Sequence, residues 1–129
     1  PTWDAAYFHA NNLETGAARA FDAAWSSQTN TLMVVYAGQN ATNHSYIMRQ
    51  GTSAATTGTL PATTNGQWCV LDADPFTGDF VYVSLDKALD VNMHRWDGVS
   101  WTLLPLLETN SPTSYSTVDF AFRRLNPGL

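Results

Sequence analysis

The sequence predicts an all-β fold of repeated four-stranded antiparallel sheets, and three observations carry that prediction. The first is internal repetition. Trp3-Asp4-Ala5-Ala6-Tyr7-Phe8, Leu13-Glu14-Thr15-Gly16 and Phe21-Asp22-Ala23-Ala24-Trp25 recur, in order, as Trp96-Asp97-Gly98-Val99-Ser100-Trp101, Leu107-Glu108-Thr109-Asn110 and Val118-Asp119-Phe120-Ala121-Phe122. Trp3 to Trp96 is 93 residues, Glu14 to Glu108 is 94 and Asp22 to Asp119 is 97. A half-step of 48 residues relates the stretch 27–36 to 75–84. The second observation is that Leu32-Met33-Val34-Val35-Tyr36 and Phe80-Val81-Tyr82-Val83 are β-branched and aromatic runs bounded by turn formers. The third is composition. Only 13% of residues are charged while 44% are hydrophobic, and Thr, Ser, Asn, Ala and Gly fill the polar positions, as in a turn-rich β protein.

A unit of this length made of short strands falls in the range of β-propeller blades. The repeat places strand A at Ala20 to Ser26 and at Gln67 to Asp74. Strand B follows at Thr31 to Ala37 and at Asp79 to Leu85. Pro75-Phe76-Thr77-Gly78 has good turn chemistry, since Pro fixes φ early and Gly supplies a positive φ late. Strand C is read at Ser45 to Arg49 and Val91 to Trp96. Strand D is read at Ser100 to Leu104 and, with poor propensity, in the Thr/Ala tract Ser53 to Leu60, which reads equally as a loop. The alanines of Ala17 to Trp25 favour helix, but the repeat demands a strand there. One propeller-type domain over 1–129 results: a terminal strand D and link (1–19), blade 1 (20–66), blade 2 (67–110), and strand A of a further blade (111–129). Two blades cannot close a ring. The chain is therefore expected to be an excerpt of a longer propeller, or a piece that copies of itself complete.

Charge excludes several functions. The net charge is −5, and the six basic residues form no stripe to neutralise phosphates or dock on an anionic membrane. No apolar run is long enough to span a bilayer, no signal peptide is visible, and the chain starts at Pro1. Cys69 is alone, so it forms no internal disulfide; in Trp68-Cys69-Val70-Leu71 it reads as a buried small hydrophobe. His9, His44 and His94 fall at unrelated repeat positions, with no Ser or Cys partner and no zinc spacing.

The sharpest local motif is Trp96-Asp97-Gly98-Val99-Ser100-Trp101. Asp97 can accept from backbone donors across the turn, Gly98 can take a positive φ, and the Trp side chains can pack between blades. The motif resembles the Trp-Asp-Gly-x-x-Trp hairpins of six-bladed fucose-binding lectins and, more loosely, the Asp-box turn of sialidase-type propellers. The resemblance implies blade architecture and a sugar site, in which an Arg and a Glu grip the ligand while Trp stacks on it. Here Met93 stands four residues before Asp97 and Phe80-Val81 stand on strand B, so the gripping pair is absent. Candidate ligand-binding residues are Trp96, Trp101, Arg95 and Trp3.

Asp72, Asp74 and Asp79 gather three carboxylates around one turn and are the candidates for Ca²⁺, the one cofactor considered; the alternative is solvated turn acids. Asp22 and Asp119 occupy matching strand A places, where capping of backbone donors between blades is the favoured role over a channel site. Asn40-Ala41-Thr42 and Asn43-His44-Ser45 are glycosylation sequons, of consequence only in a secreted protein. These features together predict a non-enzymatic, extracellular or surface-displayed structural or adhesion module. It would self-associate, or join a larger propeller, through its edge strands. A lectin-like carbohydrate-binding module with a glycan partner is the alternative, and a fragment of a sialidase-like hydrolase is a third.

Overall fold

A computed structural model describes residues 13, 19–38, 43–63, 66–111 and 118–123. These form two four-stranded antiparallel sheets, with no helix among the described residues. Sheet 1 runs in order β1 (Phe21–Ser26), β2 (Thr31–Tyr36), β3 (Ser45–Gln50) and β4 (Thr56–Thr59). Sheet 2 repeats that order with β5 (Gly66–Ala73), β6 (Phe80–Asp86), β7 (Val91–Trp96) and β8 (Trp101–Leu103). Every strand read from the two full repeats is present within a few residues of its expected bounds, and β4 occupies the Thr/Ala tract. Each sheet is an open meander, and among the described residues neither closes on itself.

The turns follow from their residues. In the β5–β6 turn, Gly78 adopts φ +83° and donates its N–H to the Asp74 carbonyl at 3.0 Å. Asn30 takes φ +54° at the corresponding place between β1 and β2. The two turns meet, with Gln28 Nε2 donating to the Pro75 carbonyl at 3.0 Å.

Strand register decides which residues share a face, because directly paired residues point the same way. In sheet 1, Asp22, Ala24, Met33, Val35, Tyr46 and Met48 share one face, here the front. In sheet 2, Cys69, Leu71, Ala73, Phe80, Tyr82, His94, Trp96 and Trp101 share the opposite face, the back. These two faces pack together as the main core, closed by Leu60. The halves of the repeat correspond at an even offset along strands A and B, so Leu32 matches Phe80 and Val34 matches Tyr82. The front of sheet 1 therefore lies on the back of sheet 2. The sheets stack in the same sense, like plates, rather than face to face like a sandwich.

Contacts between the sheets keep the same step. Arg19 bridges Trp68 in parallel, and Cys69 Sγ donates to the Arg19 carbonyl at 3.3 Å. Leu71 N donates to Asp22 Oδ2 at 2.8 Å, so Asp22 caps a backbone donor across the interface as the sequence suggested. One repeat further on, Trp68 Nε1 donates to the Val118 carbonyl at 3.2 Å. Val118 and Phe120 then pack on Val83, Leu85 and Val91, on the front of sheet 2. Strand A of a further blade, expected within 111–129, is not formed by the described residues 118–123. Side chains hold the segment, and no described strand lies beside it to make a ladder. Asp119 accordingly accepts from its own neighbour, Phe120 N, at 2.9 Å rather than from another sheet. The terminal strand D and link expected over 1–19 lie outside the described residues except for Leu13 and Arg19.

Candidate functional site

The Trp96–Trp101 hairpin forms as its residues dictate. Asp97 Oδ1 accepts the N–H groups of Val99 and Ser100, each at 2.9 Å, and Gly98 takes φ +97°. Those donors, Ser100 first and Val99 second, hold the Asp97 carboxyl below the usual carboxylate range. Trp96 pairs with Trp101 across β7 and β8, and both side chains turn toward sheet 1. They are 6% and 8% exposed, so they are core residues before they are anything else.

Tyr46 of β3 completes the group. Its ring centroid lies 5.6 Å from that of Trp96 and 6.2 Å from that of Trp101, while the two indoles are 5.7 Å apart. The planes are tilted by 52° to 59°, an arrangement aromatic quadrupoles favour. Gly58 on β4 makes room for Tyr46: a Cβ there would stand 2.7 Å from the ring. A glycine inside a weak strand is the signal that could have found Tyr46, since it marks close approach by another group.

Around these rings, at the outer rim of the sheet interface, lies a hollow of about 390 Å³. Besides the three aromatics it is lined by Asn43, Thr59, Leu60, Pro61, Val99 and Ser100. None of the described lining residues carries a charge. Trp101 Nε1 is buried there with no hydrogen-bond partner among the described residues.

The other candidate residues are not part of this group. Arg95 alternates with Trp96 on β7 and so projects from the front of sheet 2, where its Nε donates to Asp79 Oδ2 at 2.8 Å. Asp72 accepts from Ala73 N, and Asp74 accepts from Phe76 N, the bond that chiefly holds its carboxyl below its ordinary range. The three acids of the proposed Ca²⁺ cluster are thus engaged separately. Among the described residues no three His, Cys, Asp or Glu side chains gather where an ion could sit. Trp3 and Asn40 lie outside the described residues; Asn43 is exposed at the edge of the hollow.

The buried polar groups point to structure. Cys69 is 1% exposed, and burial pushes its thiol up to about 12, which leaves no thiolate at neutral pH. Tyr82, wholly buried and held far above its ordinary pKa by that burial, shares a 2.6 Å hydrogen bond with His44 Nδ1. His94 Nε2 lies 2.8 Å from the Pro61 carbonyl. No helix of the described residues is long and apolar enough to cross a membrane. No family model matches the chain, and neither a curated protein nor a solved structure matches it.

Proposed function

We propose that this chain is a non-enzymatic structural module of propeller type, whose sheets stack on further sheets of the same kind. Those sheets come from copies of the chain or from the rest of a longer one. The observation that carries the reading is the uncovered back of sheet 1. Phe21, Trp25 and Leu32 share that face with Val34, Tyr36 and Ile47, and the first three are 56%, 53% and 38% exposed. The matching face of sheet 2 is core, with Phe80 and Tyr82 at 1% and 0%. An apolar sheet face of this kind is a binding surface or a liability. Same-sense stacking supplies the reason for its chemistry, because each sheet then needs a neighbour on both sides.

A structural role is further supported by the placement of the reactive groups. The described histidines and the cysteine are buried in hydrogen bonds that hold the sheets together, rather than grouped at a cleft. The sparsely charged, Thr- and Ser-rich composition supports a setting outside the cell or on its surface. Sedimentation equilibrium on the 129-residue chain tests the reading. Association at micromolar concentration is expected; a folded, cooperative monomer at every concentration would overturn stacking between copies of the chain.

A further inference from the structure

We propose that residues 118–123 hold, within one chain, the place on the front of sheet 2 that β1 of a second copy takes, so that this segment and self-association compete for one surface. The competition rests on the stacking reading above, with the front of sheet 2 as the face that receives the back of sheet 1.

The two segments are equivalent in the repeat, Phe21-Asp22-Ala23-Ala24-Trp25 matching Val118-Asp119-Phe120-Ala121-Phe122. Their coverings are complementary. Along 118–123, Val118, Phe120 and Phe122 are part-buried while the residues between them are exposed. Along β1 the phase is reversed: Phe21, Ala23 and Trp25 are exposed, while Asp22 and Ala24 are part-buried on the side of sheet 2. Each segment therefore has one of the two neighbours that a strand between stacked sheets requires. Among the described residues β1 has no sheet behind it, and 118–123 have sheet 2 there.

Hydrogen bonds identify sheet 2 as the neighbour that β1 is built to follow. Within the chain, Asp22 of sheet 1 accepts from Leu71 N of sheet 2. At the place of Asp22, sheet 2 has Val70, whose side chain accepts nothing. A strand lying on the front of sheet 2 must then satisfy that donor itself. Residues 118–123 do so, with Asp119 Oδ1 accepting from Phe120 N at 2.9 Å. The same device is already present in β1, where Asp22 Oδ1 accepts from Ala23 N at 3.0 Å. Trp68 supplies a second bond. Its Nε1 donates to the Val118 carbonyl at 3.2 Å, and the matching carbonyl in β1 is that of Phe21. Ala37 N donates to the Ala20 carbonyl, so antiparallel alternation turns the Phe21 carbonyl away from β2 and outward.

Both segments cannot be seated at once, since each would take the Trp68 indole and the cover over Val83, Leu85 and Val91. A second copy docks only on chains whose 118–123 segment has left, and the apparent affinity is reduced to that fraction. The contact joins two different faces, so it is head-to-tail.

Sedimentation equilibrium on full-length chains is the test. Phe120→Ala weakens the seated segment and leaves both docking faces intact, so it should strengthen association about tenfold. Met93→Glu places a charge on the front of sheet 2, where Met93 matches in register the Tyr46 that packs on Trp96 of the next sheet. Trp25→Glu does the same to the back of sheet 1. Each alone should stay monomeric where the parent associates. An equimolar mixture of the two should form a dimer that grows no further, because each variant keeps the face that the other lacks. Near-UV dichroism checks that the variants fold, and Val81→Glu, another part-exposed residue of the front, repeats the block if Met93→Glu does not. Where the parent associates, three results each overturn the competition and leave stacking in place: Phe120→Ala associating no more tightly, a folded Met93→Glu chain associating like the parent, or a mixture that stays monomeric. No association by any chain, Phe120→Ala included, removes stacking between copies and the competition with it.

Discussion

At the scale of single residues, two positions allow clean predictions. Gly98 takes φ +97°, and a Cβ there would meet nothing within 4 Å. Gly98→Ala therefore isolates backbone strain from packing, and should lower unfolding stability by about 1–2 kcal/mol in urea melts. A cost near zero would mean that the turn relaxes to another conformation. His94 carries a pH dependence. Burial holds its pKa below the ordinary histidine value, and Nδ1 is buried with no partner among the described residues. The unfolded chain thus binds this proton more readily than the folded one, so stability falls as pH drops below about 6.5. Asp74 and Asp97 are shifted down, and they add a further loss only on entering the carboxylate range, below about pH 4. A urea midpoint that falls between pH 7.5 and 5, and falls less in His94→Gln, is the expected result. A flat midpoint would show that His94 is protonated as easily inside the fold as outside it.

At the scale of elements, the bond between β1 and β5 is the one to break. Asp22 accepts from Leu71 N at 2.8 Å and from Ala23 N at 3.0 Å, and pairs with Arg19 at 2.6 Å. Asp22→Ala leaves the Leu71 donor unpaired between the sheets and should cost about 1–3 kcal/mol, whereas Asp22→Asn retains an acceptor and should cost less. Equal losses would assign the effect to the charge and its ion pair instead. The role of Asp22 was legible in sequence because the repeat put an acid on strand A twice, at Asp22 and Asp119. The strands were legible for the same reason: repetition told strand from helix at Phe21-Asp22-Ala23-Ala24-Trp25, where local propensity pointed the wrong way. The site was half legible. Trp96 and Trp101 flank a recognisable turn and face one way, but Tyr46 reaches them from another sheet, and only the stacking of sheets brings it there. Strand alternation puts Arg95 on the other face of sheet 2 from Trp96, which faces inward. The three acids around the β5–β6 turn looked like a cation site because spacing along a chain does not reveal the other partners each carboxylate has.

At the scale of the whole molecule, the two outer faces are unequal, and that asymmetry makes a prediction. The front of sheet 2 is largely closed: Val83 and Leu85 are 1% exposed, with Val118 and Phe120 packed beside them. The back of sheet 1 leaves Phe21 and Trp25 more than half exposed on the edge strand β1. If this face docks another sheet, a charge placed on it must be desolvated on association while costing the isolated chain little. Trp25→Glu is that charge. Because the side chain already stands in water, unfolding stability measured at low protein concentration should change by only about 0.5 kcal/mol. Association should weaken far more, since burying an unpaired carboxylate costs several kcal/mol, enough to shift the sedimentation equilibrium to monomer across the micromolar range. Thr57→Glu, on the same face but on β4 at the other edge of the sheet, where the exposed aromatic residues are absent, serves as the control and should weaken association less. The two readouts separate the alternatives. A large loss of stability in dilute Trp25→Glu would make the residue part of the single chain's own core, and unchanged association would remove the back of sheet 1 as the stacking surface.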